Sequence, residues 1–150
     1  MKNKISIFSF LLFCLYACNN SKDTPASESD VDAARNFIQA ALEGDFEKAK
    51  TFMLTDSLNI ERMNAIERVK LSPDEKKGLA NASINIHEVS SKVKDSVTIV
   101  IYSNSFKNNW DTLKVVKHEG QWLVDFNYLF AHDSDSLSVP LLPKTDSTIK

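Results

Sequence analysis

Residues 97–126, VTIVIYSNSFKNNWDTLKVVKHEGQWLVDF, fall into three short runs in which apolar residues recur at every second position. This period of two is typical of β-strands. The breaks between the runs, 103–109 and 119–120, have the polar and glycine-containing sequences of turns. An earlier run, in which Ile84 and Ile86 alternate with polar residues, has the same period. Four strands at this close spacing predict an antiparallel meander.

The alternation also predicts which side chains face the core. We expect one face of the sheet to pack against helices through Ile84, Ile86, Val97, Ile99, Ile101, Leu113, Val115, Trp122, Val124 and Phe126. The opposite face, here called the outer face, should then carry Val89, Val100, Tyr102, Val116 and Leu123. A wholly solvated face would be polar, and an exposed apolar face usually marks an interface. Alternatively, the apolar residues of 139–142 cover it. Phe106, in the 103–109 loop, is a further candidate for contact with a partner.

The residues before the strands have the spacing of helices. Residues 30–54 predict a tight helical hairpin in which Ser29 or Asp30 caps the first helix. Gly44 suits the position that ends this helix, and Asp45 can begin the next one at once.

Two further helices are expected before the sheet. Asp56 or Ser57 can begin the third helix, whose inward residues should be Ile60, Met63 and Ile66. The sequence SPDE at 72–75 predicts the start of a fourth, because it combines a capping serine, an early proline and a glutamate three residues after the serine. Helices followed by strands predict an α+β fold with N-terminal helices on one face of a four-stranded antiparallel sheet.

This order of elements resembles the nuclear transport factor 2-like, or cystatin-like, fold. Two motifs, ALEGDFEKA at 41–49 and KHEGQWLVD at 117–125, are similar to those of small bacterial lipoproteins of uncharacterised function in that superfamily. The resemblance covers residues 30–130 and implies dimerisation through the outer face. The first motif also occurs in tetratricopeptide helical pairs, but those need several copies at a period of about 34 residues, and this chain has one copy.

The first 18 residues, MKNKISIFSFLLFCLYAC, have the layout of a secretory signal peptide: a basic start, an uncharged apolar run and a small residue before Cys18. The ending LYAC resembles the lipobox of bacterial lipoproteins. That resemblance implies that Cys18 becomes the first residue of the mature chain and carries diacylglycerol and palmitate. The implied location is the bacterial cell envelope, on the periplasmic or surface side of the outer membrane. An ordinary cleaved signal with an incidental cysteine is the alternative.

The predicted organisation has four parts. Residues 1–17 are a lipoprotein signal peptide, 18–29 are the lipidated cysteine and a polar tether, 30–130 are the nuclear transport factor 2-like domain, and 131–150 are a polar tail expected to be disordered. The whole chain has 18 basic and 20 acidic residues, and removal of Lys2 and Lys4 with the signal leaves 16 and 20, a net charge of −4. Nucleic acid is therefore not an expected partner.

The sequence does not predict a catalytic, cofactor or metal site. His87, His118 and His132 lack metal-ligand spacing, and no catalytic triad, P-loop or dinucleotide motif is present. Enzymes of the ketosteroid isomerase kind on the resembled fold use a carboxylate in a conical apolar pocket. We expect Asp125 to point away from the helices, because it alternates with inward residues such as Val124 and Phe126, and Asp111 to lie at a strand edge with an ordinary surface role.

The favoured hypothesis is a non-enzymatic, membrane-anchored lipoprotein that binds an unknown small ligand or protein partner, with a homodimer through the outer face as one form of partnership. The alternative is a small enzyme of the isomerase or dehydratase kind.

Replacement of the anchor cysteine tests the predicted lipidation. Cys18→Ser should move the protein from the membrane fraction to the soluble envelope fraction, because a bilayer holds the mature chain only through its acyl chains. Cys14→Ser, inside the apolar run, is the matched control and should leave the protein in the membrane fraction. Immunoblotting of the two fractions measures the distribution. If Cys18→Ser stays in the membrane fraction, the lipid anchor is contradicted.

Overall fold

The structure, a computed structural model, describes residues 27–136. The predicted signal segment, Cys18 and residues 137–150 lie outside this part of the chain. In chain order the elements are α1 (Asp30–Glu43), α2 (Phe46–Thr51), α3 (Ser57–Glu67), α4 (Pro73–Ala80), β1 (Ile84–Val93), β2 (Val97–Asn104), β3 (Trp110–His118), β4 (Gln121–Asp125) and α5 (Asn127–Ser136). The strands form one antiparallel sheet in the order β1-β2-β3-β4. The predicted α+β architecture with a four-stranded meander is confirmed.

The hairpin of α1 and α2 forms through the predicted caps. The Oγ of Ser29 accepts a hydrogen bond from the backbone N–H of Asp32 at 3.1 Å, and the side chain of Asp45 accepts one from the N–H of Lys48 at 3.0 Å. Gly44 lies between the helices at φ +78°, a left-handed conformation that glycine adopts without strain. The backbone N–H groups of Gly44 and Asp45 donate to the last free carbonyls of α1, so the reversal is tightly closed.

Helices α3 and α4 begin as predicted, but α3 is rotated from the expected orientation. Asp56 caps α3, and Ser72 and Glu75 form a reciprocal capping box at α4. Met63 is buried as expected, whereas Ile60 and Ile66 are exposed. The prediction for Ile60 and Ile66 was wrong because Asn59, a polar residue four positions before Met63, faces inward and is held there by hydrogen bonds.

Helix α1 lies across one face of the sheet and contacts all four strands. The space between them is filled by the aromatic and aliphatic side chains of Phe37, Ile38, Phe52, Met53, Val100, Leu113, Val115, Val124 and Phe126. The Phe37 and Phe126 rings lie 5.2 Å apart, and Phe130 meets Phe126 edge-on at the same distance. Ile84, Ile86 and Trp122 pack against this core, as predicted, although all three are only half-buried.

The facing of β2, meaning which of its side chains point to the core, is the opposite of the predicted one. Val100 is fully buried and Tyr102 is 8% exposed, so their assignment to the outer face was wrong. The outer face instead carries Val97, Ile99 and Ile101, which had been predicted to be core residues.

The cause of this error is that β2 is apolar on both faces, so alternation defines the strand without defining which face is inward. Pairing of Val100 with Leu113 and the hydrogen bond from the Thr98 hydroxyl to Asp30 of α1 fix the facing. Val89 pairs with Val100 and therefore belongs to the helix side, where it remains exposed at the edge of the sheet.

The two edges of the sheet differ. Residues 52–54 pair with β4 through hydrogen bonds on both sides of Val124, at 2.8 and 2.9 Å, and α5 contacts β3. The sequence did not predict α5, which continues past residue 130 to Ser136. At the other edge, β1 has register shifts between Ile86 and Glu88 and between Ser91 and Val93.

A pair of threonine substitutions on β2 tests this facing. Val100→Thr should lower the free energy of unfolding by about 1–3 kcal/mol, because it buries a hydroxyl group in an apolar site that is not arranged to form a hydrogen bond with it. The adjacent Ile99→Thr keeps a β-branched side chain on the half-exposed face and should cost less than about 1 kcal/mol. Urea denaturation of a chain beginning at residue 19 measures both values, and an equal or reversed order would contradict the observed facing.

Candidate functional site

Among residues 27–136, four groups have a clearly shifted pKa, and each shift has a structural cause. Hydrogen bonds from the backbone N–H and side chain of Asn59 lower the pKa of Asp56, and those from the N–H and hydroxyl of Ser72 lower the pKa of Glu75. Burial, with a smaller effect of Asp111, raises the pKa of Tyr102. The pKa shifts of Asp56 and Glu75 thus result from helix capping, and that of Tyr102 results from burial in the core, so none of the three indicates a catalytic group.

A polar cluster joins α3 to the end of the sheet. The Asn59 side-chain oxygen accepts a hydrogen bond from the backbone N–H of Asn127 at 2.9 Å, and its amide nitrogen donates to Asp56 and, at 3.5 Å, to Asp125. Asp125 also forms an ion pair with Lys114 at 3.0 Å. Each of these groups is used in connecting α3, β4 and α5, which is a structural role for the buried asparagine.

An apolar groove opens on the helical side of the molecule. It has a volume of about 420 Å³ and lies where the end of α1, the start of α2, the end of α3 and α4 meet. Its apolar lining consists of Ala41, Leu42, Phe46, Ile66, Val69, Leu71 and Leu79. This volume and lining fall within the range of small-molecule sites in proteins.

The turn at Gly44 and the capping of α4 create the groove. The reversal at Gly44 brings Leu42 and Phe46 together at one end, and the capping box directs α4 so that Leu79 faces them. The rotation of α3 leaves Ile66 exposed on the groove wall, 37% accessible, instead of in the core.

Charged side chains stand at the rim of the groove. They are Glu43, Glu67 and Lys76. Glu67 is held by Lys50 of α2, whose ammonium group lies 3.3 Å from it and 2.8 Å from Glu47. The hydrogen bond from Lys50 to Glu47, followed by that to Glu67, raises the pKa of Lys50. The rim can therefore hold a polar end of a bound molecule while the interior contacts its apolar part.

The outer face of the sheet is a second apolar surface. At its centre are five half-buried residues, Val97, Ile99, Ile101, Val116 and Leu123. Val116 and Leu123 lie on this face as predicted. The Lys114–Asp125 ion pair borders them, and the Lys114 ammonium group lies 5.9 Å from the centre of the Tyr128 ring.

Phe106, the remaining predicted interface residue, packs within its own chain. Its ring lies so close to Gly78 of α4 that a Cβ at Gly78 would be 2.2 Å from a ring carbon. One side of the ring nevertheless stays accessible, and the residue is 43% exposed. Gly78 is thus needed for close approach of the loop to α4.

The groove was not predicted from the sequence. Its lining comes from four separate segments, so no single periodicity contains it. The available signal was the group of apolar residues near the end of α3, Ile66, Val69 and Leu71, which a solvated helix end and loop would not need.

Comparison with protein-family models, curated proteins and solved structures gives no match to this chain. Within the part of the chain that the structure describes, no group of three or more histidine, cysteine, aspartate or glutamate side chains is placed to hold a metal ion. In the same part, none of the helices combines the length and hydropathy needed to cross a bilayer.

Proposed function

We propose that this protein is a membrane-anchored lipoprotein of the bacterial envelope whose domain binds a small, mainly apolar molecule without chemical conversion. The groove between α1, α3 and α4 carries this proposal, because it joins an apolar interior to a charged rim. The helix order and the four-stranded meander support membership of the nuclear transport factor 2-like fold. The N-terminal sequence supports lipidation of Cys18 and a location at the outer membrane.

The alternative is a small enzyme of the ketosteroid isomerase or dehydratase kind. Such an enzyme needs an acid or base inside an open pocket between helices and sheet. In the described part of the chain that space is occupied by the rings of Phe37, Phe52 and Phe126 and by aliphatic side chains. Asp125 is paired with Lys114 on the other side of the sheet. These observations favour a binding function.

Two valines of equal exposure provide a matched test of the groove. Val69 lines the groove and Val93 lies at the end of β1, and each is 55% exposed. Val69→Glu should weaken binding at least tenfold, or about 1.4 kcal/mol, because it places a carboxylate against the apolar part of the ligand. Val93→Glu should leave binding unchanged.

The measurement is fluorescence of 1-anilinonaphthalene-8-sulfonate, displaced by decanoate, on a chain beginning at residue 19. Circular dichroism melting checks that both variants remain folded. Equal binding by the two variants, or no saturable binding by the unmodified chain, would refute the groove as a ligand site.

The outer face is the proposed site of homodimerisation. Its apolar centre supports this proposal, since exposed patches of this kind commonly mark interfaces. A chain beginning at residue 19 should sediment as a dimer at high micromolar concentration. Val116→Lys, at the centre of the face, should shift it to monomer, and Val89→Lys, at an exposed valine on the helix side of the sheet, should not.

The same experiment separates the dimer from the other occupant of this face, residues 139–142. If the chain 19–150 is monomeric and a chain ending at Ser136 dimerises, the C-terminal segment covers the face. If both are monomeric, the dimer proposal fails.

A further inference from the structure

An exposed aromatic pair stands on the outer face at one end of the sheet, away from the groove. The rings of His87 on β1 and Trp110 on β3 are stacked, with centroids 4.2 Å apart and planes within 7° of parallel. Ser103 on β2 lies between them, and its Oγ forms a hydrogen bond of 2.9 Å with Nε2 of His87. Trp110 is 68% exposed, so most of the indole is accessible to solvent.

The sheet holds this pair in a fixed arrangement. Ser103 pairs directly with Trp110, and its small side chain leaves room for rings from the two flanking strands to meet above it. The register shift between Ile86 and Glu88 places His87 at a bulge of β1. Because stacking and the hydrogen bond fix both rings before any ligand arrives, a ligand loses little of its binding energy to ordering them.

The loop that leads into Trp110 is also ordered. The side chain of Asn104, at the end of β2, accepts hydrogen bonds from the backbone N–H groups of Phe106 and Lys107 at 3.1 and 2.9 Å. The N–H of Asn108 donates to the Asn104 carbonyl at 2.8 Å. These bonds define the approach of the chain to β3, so the position of Trp110 does not depend on a mobile loop.

The surroundings of the indole define the ligand it can take. Thr112 follows Trp110 on the same face, and Asn85 lies on that face two strands away, opposite Ser103, so this end of the face carries uncharged hydrogen-bonding groups. Glu88, opposite Ile101 on this face, disfavours an anionic ligand. The negative π-surface of an aromatic ring attracts polarised C–H groups. A pyranose ring offers such C–H groups on one flat side and hydroxyl groups around its edge.

We propose that Trp110, supported by His87 and with Thr112 and Asn85 on the same face, is a stacking site for a pyranose ring of a neutral glycan. The indole contacts the C–H side of the sugar, and these polar side chains accept and donate hydrogen bonds to its hydroxyl groups. A nucleobase would also stack on an indole, but nucleic-acid sites add basic grooves that follow the phosphates, and the acidic charge of this chain opposes one. The site is independent of the apolar groove and of its ligand.

Saturation-transfer difference NMR tests the site on the full chain in lauryldimethylamine oxide micelles, a detergent without a sugar group. The probes are maltohexaose, cellohexaose and hexa-N-acetylchitohexaose. We expect saturable transfer to ring C–H protons of at least one of them. Trp110→Ala should weaken that binding at least tenfold, and His87→Ala should weaken it less, because the indole remains but loses its support.

Phe106→Ala is the matched control, since it removes another partly exposed aromatic ring on the adjacent loop, and it should leave sugar binding unchanged. Melting curves check the fold of each variant. Absence of binding by all three sugars, or binding that persists in folded Trp110→Ala, overturns the proposal. It is equally overturned if Trp110→Ala abolishes self-association and leaves sugar binding intact, because the indole then belongs to an interface between copies of the chain.

Discussion

The packing of α1 across all four strands is the contact on which the rest of the structure depends. The sheet is open, and only burial of one face can stabilise such a sheet in water. Phe37 meets Phe126 near β4, and the hydrogen bond between Asp30 and Thr98 fixes the start of the helix against β2. With the start and the middle of α1 fixed in this way, only one orientation of β2 buries Val100 and gives the Thr98 hydroxyl its hydrogen-bond partner.

Local signals in the sequence were sufficient for the helix starts and the strands. Ser29, Gly44, Asp45 and the capping box at 72–75 act on backbone groups within four residues, so their effect can be read without tertiary information. The turn at 119–120 belongs to the same class, with positive φ at Glu119 and Gly120 between β3 and β4.

Features that depend on distant partners could not be derived in this way. The facing of β2 depends on a bond between residues 68 positions apart in sequence, and the rotation of α3 depends on Asn59, whose partner Asn127 is equally distant. The candidate sites share this property. The groove collects side chains from four segments, and the stack of His87 and Trp110 requires both the bulge in β1 and the register of β3.

The register shifts of β1 have a consequence for how copies of this protein can meet. An unpaired strand edge is a template on which another chain can add by backbone hydrogen bonding, and continued addition leads to fibrils. In β1 the shifts after Ile86 and after Ser91 break the edge into short segments whose donors and acceptors are out of step. A straight incoming strand can match only a few residues before losing alignment. At high protein concentration, copies of this chain can therefore associate through side-chain contacts, but the interrupted edge of β1 disfavours the continued strand addition that builds fibrils.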